Sequence, residues 1–228
     1  GTLIYIRGAG SADVQLTRVS REGTAVPVDS GWSAAVNSLA LSPDGRRLSV
    51  GAGPGVGALS IWVKQLDRGP ATRLTFGAQD RRPAWTPDGR TISFIRDSGN
   101  GGNVYARAAD GTGTDRLVAS IDRPVQEVAL SPDGRWLVAA RRDGVLTCWA
   151  VGGARDLPAW EVKAHGGHLG ARDIDIDPAG YVLSAGWDKT LKITELATGR
   201  LVREIPTPER ANWNACYRPG GRQVALSC

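Results

Sequence analysis

A chain of 228 residues with only two histidines, His165 and His168, offers little for proton transfer or for activating a nucleophile. The two are separated by a Gly-Gly pair, and two imidazoles cannot by themselves complete a transition-metal site. His165, in a glycine-flanked segment, reads as a solvated loop residue. No Gly-x-Ser-x-Gly elbow, His-Glu-x-x-His pair or phosphate loop ending in Gly-Lys-Ser/Thr occurs. Gly53-Pro54-Gly55-Val56-Gly57-Ala58 fits a dinucleotide fingerprint in spelling, but that chemistry needs a helix to open there, and Leu59-Ser60-Ile61-Trp62-Val63 is β-rich. Asp173, Asp175 and Asp177 share one face of a strand without the loop geometry and extra oxygens that calcium requires. The expectation is no cofactor, no metal and no catalytic residue.

The three cysteines, Cys148, Cys216 and Cys228, show no metal-type spacing and are odd in number. Cys148 sits in an apolar run and reads as core, while a Cys216–Cys228 pairing stays open. The net charge of +5 invites a phosphate-binding reading, yet the cations occur singly or in pairs such as Arg46-Arg47 and Arg81-Arg82, without basic runs or aromatic interleaving. Specific nucleic-acid binding is therefore not expected. No stretch reads as a membrane span or signal peptide. The absence of methionine points to a natural start upstream, and the compartment stays open, with the cytoplasm ahead of the periplasm or exterior.

The elements that must position any site are set by a repeat. Ser42-Pro43-Asp44-Gly45-Arg46 recurs as Thr86-Pro87-Asp88-Gly89-Arg90 and Ser131-Pro132-Asp133-Gly134-Arg135, with weaker copies at Asp177-Pro178-Ala179-Gly180 and Arg218-Pro219-Gly220-Gly221-Arg222. The prolines are spaced by 44, 45, 46 and 41 residues. Proline presets one turn position, aspartate bonds nearby backbone, and glycine accepts positive φ, so each copy is a hairpin turn. Flanking segments such as Ser38–Leu41, Thr91–Ile95 and Asp173–Asp177 alternate as half-buried strands do. Two further strand segments complete each period. Four strands per period is the blade of a propeller, whose faces are covered by neighbouring blades. The expectation is an all-β β-propeller of four-stranded antiparallel blades, five to six in number with a partial blade at each terminus. It forms a single domain over 1–228, with blades roughly 1–29 (partial), 30–77, 78–121, 122–166, 167–207 and 208–228 (partial).

The first half, through Ile61–Asp67, Thr72–Phe76 and Pro83–Arg90, resembles TolB-like propeller repeats. The second half, through Gly167-His168 and Leu183–Ile193, resembles WD repeats. The WD resemblance implies a structural hydrogen-bond network of His168, Ser184 and Asp188, with Thr194 standing where the family has Trp and Glu195 where it has Asp. Trp149 fits the Trp position one blade earlier.

The implied function is a non-enzymatic protein–protein interaction or scaffold module. Its partner-binding rim would comprise the loops that join fourth to first and second to third strands. Those loops carry Trp32, Arg81, Arg82, Arg123, Arg172, Trp187 and Trp213, of the types enriched at binding hot spots. The alternatives are a small-ligand or peptide-sensing propeller appended to a bacterial signalling protein or peptidase, and a recombined or truncated propeller. The partner is expected to be a protein or peptide, with a second copy completing the ring as a further arrangement.

Overall fold

The computed structural model describes residues 3–7, 14–20, 22–55, 57–77, 79–99, 101–167, 170–207, 214–217 and 223–227. Every regular element among them is a strand, and no helix there is long and apolar enough to cross a membrane. The strands fall into two compact units: residues 1–96 with 107–115, and residues 97–106 with 116–228.

In unit 1, β1 (Leu3–Arg7), β2 (Gln15–Val19) and β3 (Ala25–Pro27) form a three-stranded antiparallel sheet. β4 (Ala35–Leu41), β5 (Arg47–Gly53), β6 (Ser60–Gln65) and β7 (Thr72–Arg73) form a four-stranded meander. The next sheet contributes strands to both units. It contains β8 (Asp80–Trp85), β9 (Thr91–Asp97), β10 (Gly102–Ala108) and β11 (Arg116–Ala119). Unit 2 adds the sheet β12 (Val125–Leu130), β13 (Trp136–Arg141), β14 (Val145–Ala150) and β15 (Trp160–Lys163). A further sheet runs β16 (Ala171–Ile176), β17 (Tyr181–Gly186), β18 (Thr190–Glu195) and β19 (Leu201–Pro206), followed by the pair β20 (Asn214–Tyr217) and β21 (Val224–Ser227).

The repeated turns are built as their chemistry dictates. Ser42 Oγ donates to Asp44 (2.6 Å), whose carboxylate accepts the Arg46 N–H (3.1 Å), and the Arg47 N–H donates back to Ser42 Oγ (2.9 Å). Thr86-Asp88 and Ser131-Asp133 repeat the pattern. The glycine takes φ of 69°, 66° and 72° in the three copies, where a side chain would be strained. These bonds hold the Asp44, Asp88 and Asp133 carboxyls below the usual range, the hydroxyl donor first among the causes.

The second strands differ from the half-buried pattern that alternation predicts. β5, β9, β13 and β17 are buried on both faces, so that Ser49, Ser93 and Ser184 are as enclosed as Leu48, Phe94 and Leu183. In unit 1, Leu48, Val50 and Ala52 pack with Leu16, Trp32 and Trp62. In unit 2, Val138, Ala140 and Cys148 pack with Ile174, Ile176 and Val182. Covering both sides of a strand removes the need for a polar face, and the Ser49 and Ser184 hydroxyls fit because they reach Ala40 O and His165 Nε2. Among the fourth strands, β7 and β19 are exposed along all or nearly all of their length, whereas β11 ends buried at Val118 and Ala119.

Candidate functional site

Each well-defined first strand is broken by a β-bulge near its start. The pairing skips Asn37 between Val36 and Ser38, Arg82 and Pro83 between Arg81 and Ala84, Gln126 between Val125 and Glu127, and Arg172 between Ala171 and Asp173. A bulge leaves its residue outside the ladder and re-aims its side chain, which is how sheets present groups at an edge or rim. Asn37, Gln126 and Arg172 each lie six residues before a turn proline (Pro43, Pro132, Pro178), so the device recurs in register. Asn37 and Gln126 were not among the expected rim residues. Their signal was this offset, not their type.

In unit 1 the device is the most strained. Arg82 has φ of 54°, in the left-handed region that a long side chain rarely adopts. Its N–H is held by Ser38 Oγ of the preceding blade at 2.9 Å, and a Cβ on Gly51 would strike that same oxygen at 2.7 Å. The close approach of β5 to β8 therefore depends on glycine. Arg81 and Arg82 are half-buried. Trp32 is half-buried too, its ring 6.2 Å from Trp62 at 58°, and it packs on the core of β5.

In unit 2, Arg172 and Trp187 are brought to one rim: the Trp187 N–H donates to Gly170 O at 3.1 Å. The Arg142 N–H donates to Pro124 O (2.9 Å), which joins this rim to the segment carrying exposed Arg123. Gly170, at φ 51°, lies so close to Gly144 and Arg142 that a Cβ would clash with their backbone. Trp213 lies outside the described residues.

The buried network inside the sheet of β16–β19 contains a correction. The ring bonded to Ser184 and Asp188 is that of His165, whereas His168 lies outside the described residues. His165 Nε2 is 2.8 Å from Ser184 Oγ and Nδ1 is 3.0 Å from Asp188, which also accepts from Gly166 N–H (2.9 Å) and Thr190 Oγ1 (2.8 Å). The cause is local: the N–H groups of Ala164 and His165 both donate to Gly144 O at 3.0 and 2.9 Å, which pins the imidazole just after β15 and aims it at β17. His165 is buried, not solvated. Burial lowers its pKa more than Asp188 raises it, so the ring is neutral at pH 7. Burial pushes Asp188 up, but its N–H and hydroxyl donors bring it below the usual carboxylate range.

Ser184, His165 and Asp188 thus have the connectivity of an acyl-transfer triad. Ser184 has 0% of its surface exposed and sits in a strand paired on both sides, so no substrate reaches its oxygen. The network holds the sheet together.

Other expected features take structural roles. Gly53 ends β5, and among the described residues between it and β6 no helix opens; the Ala58 N–H turns back onto Gly55 O at 3.1 Å. Asp173 Oδ2 accepts the Ala215 N–H and Asp175 Oδ2 the Tyr217 N–H, both at 2.8 Å, while Asp177 accepts the Tyr181 N–H at 2.8 Å. Ile174 and Ile176 between them are buried. No group of three metal-ligating side chains is found among the described residues. Cys148 is buried, its thiol pushed up to about 12, and Cys216 is a free, exposed thiol. Cys228 lies outside the described residues.

The family model described as "WD domain, G-beta repeat" matches residues 115–150 and 159–194. An "Uncharacterized peptidase YuxL" from Bacillus subtilis (strain 168) is 34% identical over 172 residues, covering 74% of this chain and 25% of its own length. The chain thus spans about a quarter of that relative. Among solved structures, a chain of a mitotic checkpoint complex superposes with a TM-score of 0.72 at 16% identity, covering 94% of this chain and 64% of that one. The Dos1 propeller does so at 0.70 and 11%, covering 95% and 61%. These likenesses show the fold. With its turn repeats and four-stranded antiparallel sheets, the chain has the β-propeller fold, and its residues 115–150 and 159–194 match the WD-repeat model.

Proposed function

We propose that this chain, as a single propeller domain over residues 1–228, is a non-enzymatic scaffold that docks another protein or peptide on the rim where its first strands begin. The observation that supports this most is the recurring bulge, with Arg82 held at φ 54° by Ser38. Strained backbone persists where surrounding structure fixes it and tends to mark binding positions. Arg and Trp are the residue types that anchor interfaces, and Arg81, Arg82, Arg123, Arg172 and Trp187 supply them here. Trp32, bound into the core, contributes its exposed edge only.

Affinity capture with the wild-type chain and with an Arg81→Glu/Arg82→Glu variant tests this. The expected result is loss of the captured partner with circular dichroism unchanged; capture at wild-type level would remove the rim from the account.

The likeness to a longer protein named as a peptidase favours a second reading, an accessory propeller that senses a small anion or peptide within such a protein. A thermal shift of several degrees with a small organic anion would support it, because a ligand that binds only the folded state raises its stability by mass action.

A further inference from the structure

The bulges mark one end of the first strands; the Ser-Pro-Asp-Gly turns mark the other, and there unit 1 carries a groove of about 760 Å3. That volume is in the range of ligand and peptide sites. Its lining includes Arg18, Arg46, Arg47 and Arg68 against two carboxylates, Asp44 and Asp67. The carboxylates are partly occupied. Asp44 accepts from Ser42 Oγ and the Arg46 N–H, and Asp67 lies 4.0 Å from Arg68 in an exposed pair. Among the described residues no carboxylate lies within ion-pair distance of the guanidinium of Arg18 or Arg46, and both side chains are exposed.

The walls are fixed. Buried Lys64 donates to the carbonyls of Gln65 (2.7 Å), Arg68 (3.1 Å) and Gly69, which locks the loop after β6. The Leu66 N–H donates to Arg46 O at 2.9 Å, which ties that loop to the turn. Arg47 is anchored by Gly89 O (2.6 Å) and by the Trp85 ring beneath it (4.6 Å). A site whose frame is held before binding loses less entropy on binding.

The positive charge sets this groove apart from the one on the turns of unit 2. The groove on the turns of unit 2, about 520 Å3, is lined by Asp133, Asp177 and Glu195 with Trp136 and Tyr181, and by no Arg or Lys. Guanidinium forks match carboxylates in planar, two-bond geometry. Exposed Leu41 adds an apolar contact beside them. Among the described residues no aromatic ring lines the groove, and Arg47 covers the Trp85 face beside it, so nothing there stacks a base.

We propose that the turn-rim groove of unit 1 binds an extended acidic peptide segment, with Arg18, Arg46 and Arg68 pairing its carboxylates and Leu41 contacting an intervening apolar residue. This goes beyond the rim described above and uses none of its residues.

Fluorescence anisotropy with the full chain and a labelled (Glu-Leu-Glu-Gly)3 peptide tests it. Saturable binding that weakens as salt rises is expected, with an Arg46→Glu/Arg68→Glu variant binding at least tenfold more weakly. Arg135→Glu is the control: Arg135 holds the turn position equivalent to Arg46, in unit 2, and is paired to Asp133 at 3.4 Å. The proposal is overturned by absent or unsaturable binding, or by equal affinity for (Lys-Leu-Lys-Gly)3. Equal weakening by Arg135→Glu, or tighter binding of a twelve-nucleotide oligothymidine, would also overturn it.

Discussion

His165 Nε2 lies 2.8 Å from Ser184 Oγ, with both groups excluded from solvent, so the imidazole is a bridge between the end of β15 and the middle of β17. Replacing it by alanine leaves a cavity and orphans the buried Ser184 hydroxyl, while Asp188 loses one partner and keeps the Gly166 N–H and Thr190 donors. The expected cost is about 2 to 4 kcal/mol, from large-to-small truncation with a buried unsatisfied group. Ser184→Ala, which removes one hydroxyl of the same network, should cost less. Denaturant unfolding monitored by tryptophan fluorescence ranks the two variants; the reverse order would show that His165 is not the bridge.

The same ring sets a pH dependence. Burial depresses the His165 pKa in the folded chain, whereas the unfolded chain takes up its proton near the ordinary value of about 6.5. Below that pH the unfolded state binds more protons than the folded one, so stability is lost as pH falls. The contribution is complete above about pH 6.5 and lost as pH descends through the lower, folded-state pKa. Asp188, also depressed, acts in the same direction at more acidic pH. Melting temperatures from pH 8 to pH 5 should fall for the wild type and fall less steeply for His165→Asn; parallel curves would show that another group carries the effect.

The turns, and with them the propeller, were legible because their chemistry is local: Ser42, Asp44 and Gly45 bond within five residues of one another. The histidine was not. Gly167-His168 matches the spelling of a WD repeat, but the ring seen bonded to Ser184 and Asp188 is that of His165, and Gly144 places it. It accepts both the Ala164 and His165 N–H groups, and its φ of 83° and lack of a Cβ let the His165 carbonyl approach. That contact spans 21 residues and depends on the register of β14 against β15. The bulges were hidden for a similar reason, since they show in strand pairing and not in residue type. Tryptophan suits both packing and docking, so the contact of Trp32 with Trp62 could not be read from residue type.

Asp80 and Arg96 face each other directly across β8 and β9, Asp80 wholly buried and bonded through both oxygens at 2.7 and 2.8 Å. Arg96 reaches on to Asp115 at 2.7 Å, which also holds Arg107 at 3.2 Å. The Asp80 bond is the first cause that raises the Arg96 pKa. Arg96→Ala strands a buried carboxylate and is expected to cost about 3 to 5 kcal/mol, the range for breaking one side of a buried pair. An Asp80→Asn/Arg96→Gln double variant should be less destabilised than Arg96→Ala, because it removes the uncompensated charge. A double variant as unstable as the single one would refute charge burial as the source.

Asp173 and Asp175, which alternate along β16, hold β20 to it by accepting the N–H groups of Ala215 and Tyr217, both at 2.8 Å. Charge-assisted bonds of this kind contribute about 1.5 to 3 kcal/mol each. Ala215 is buried against Leu183, Ala185 and Leu191, so some attachment survives loss of one bond. Asp175→Ala is therefore expected to speed amide exchange at Tyr217 by about 10- to 100-fold, the factor that energy range implies. Exchange within β17 should be unchanged, and Asp173→Ala should act mainly at Ala215. Hydrogen exchange read by mass spectrometry over the 214–217 segment distinguishes local release from global unfolding. If β17 accelerates equally, the carboxylates stabilise the whole sheet and do not serve as clamps on β20.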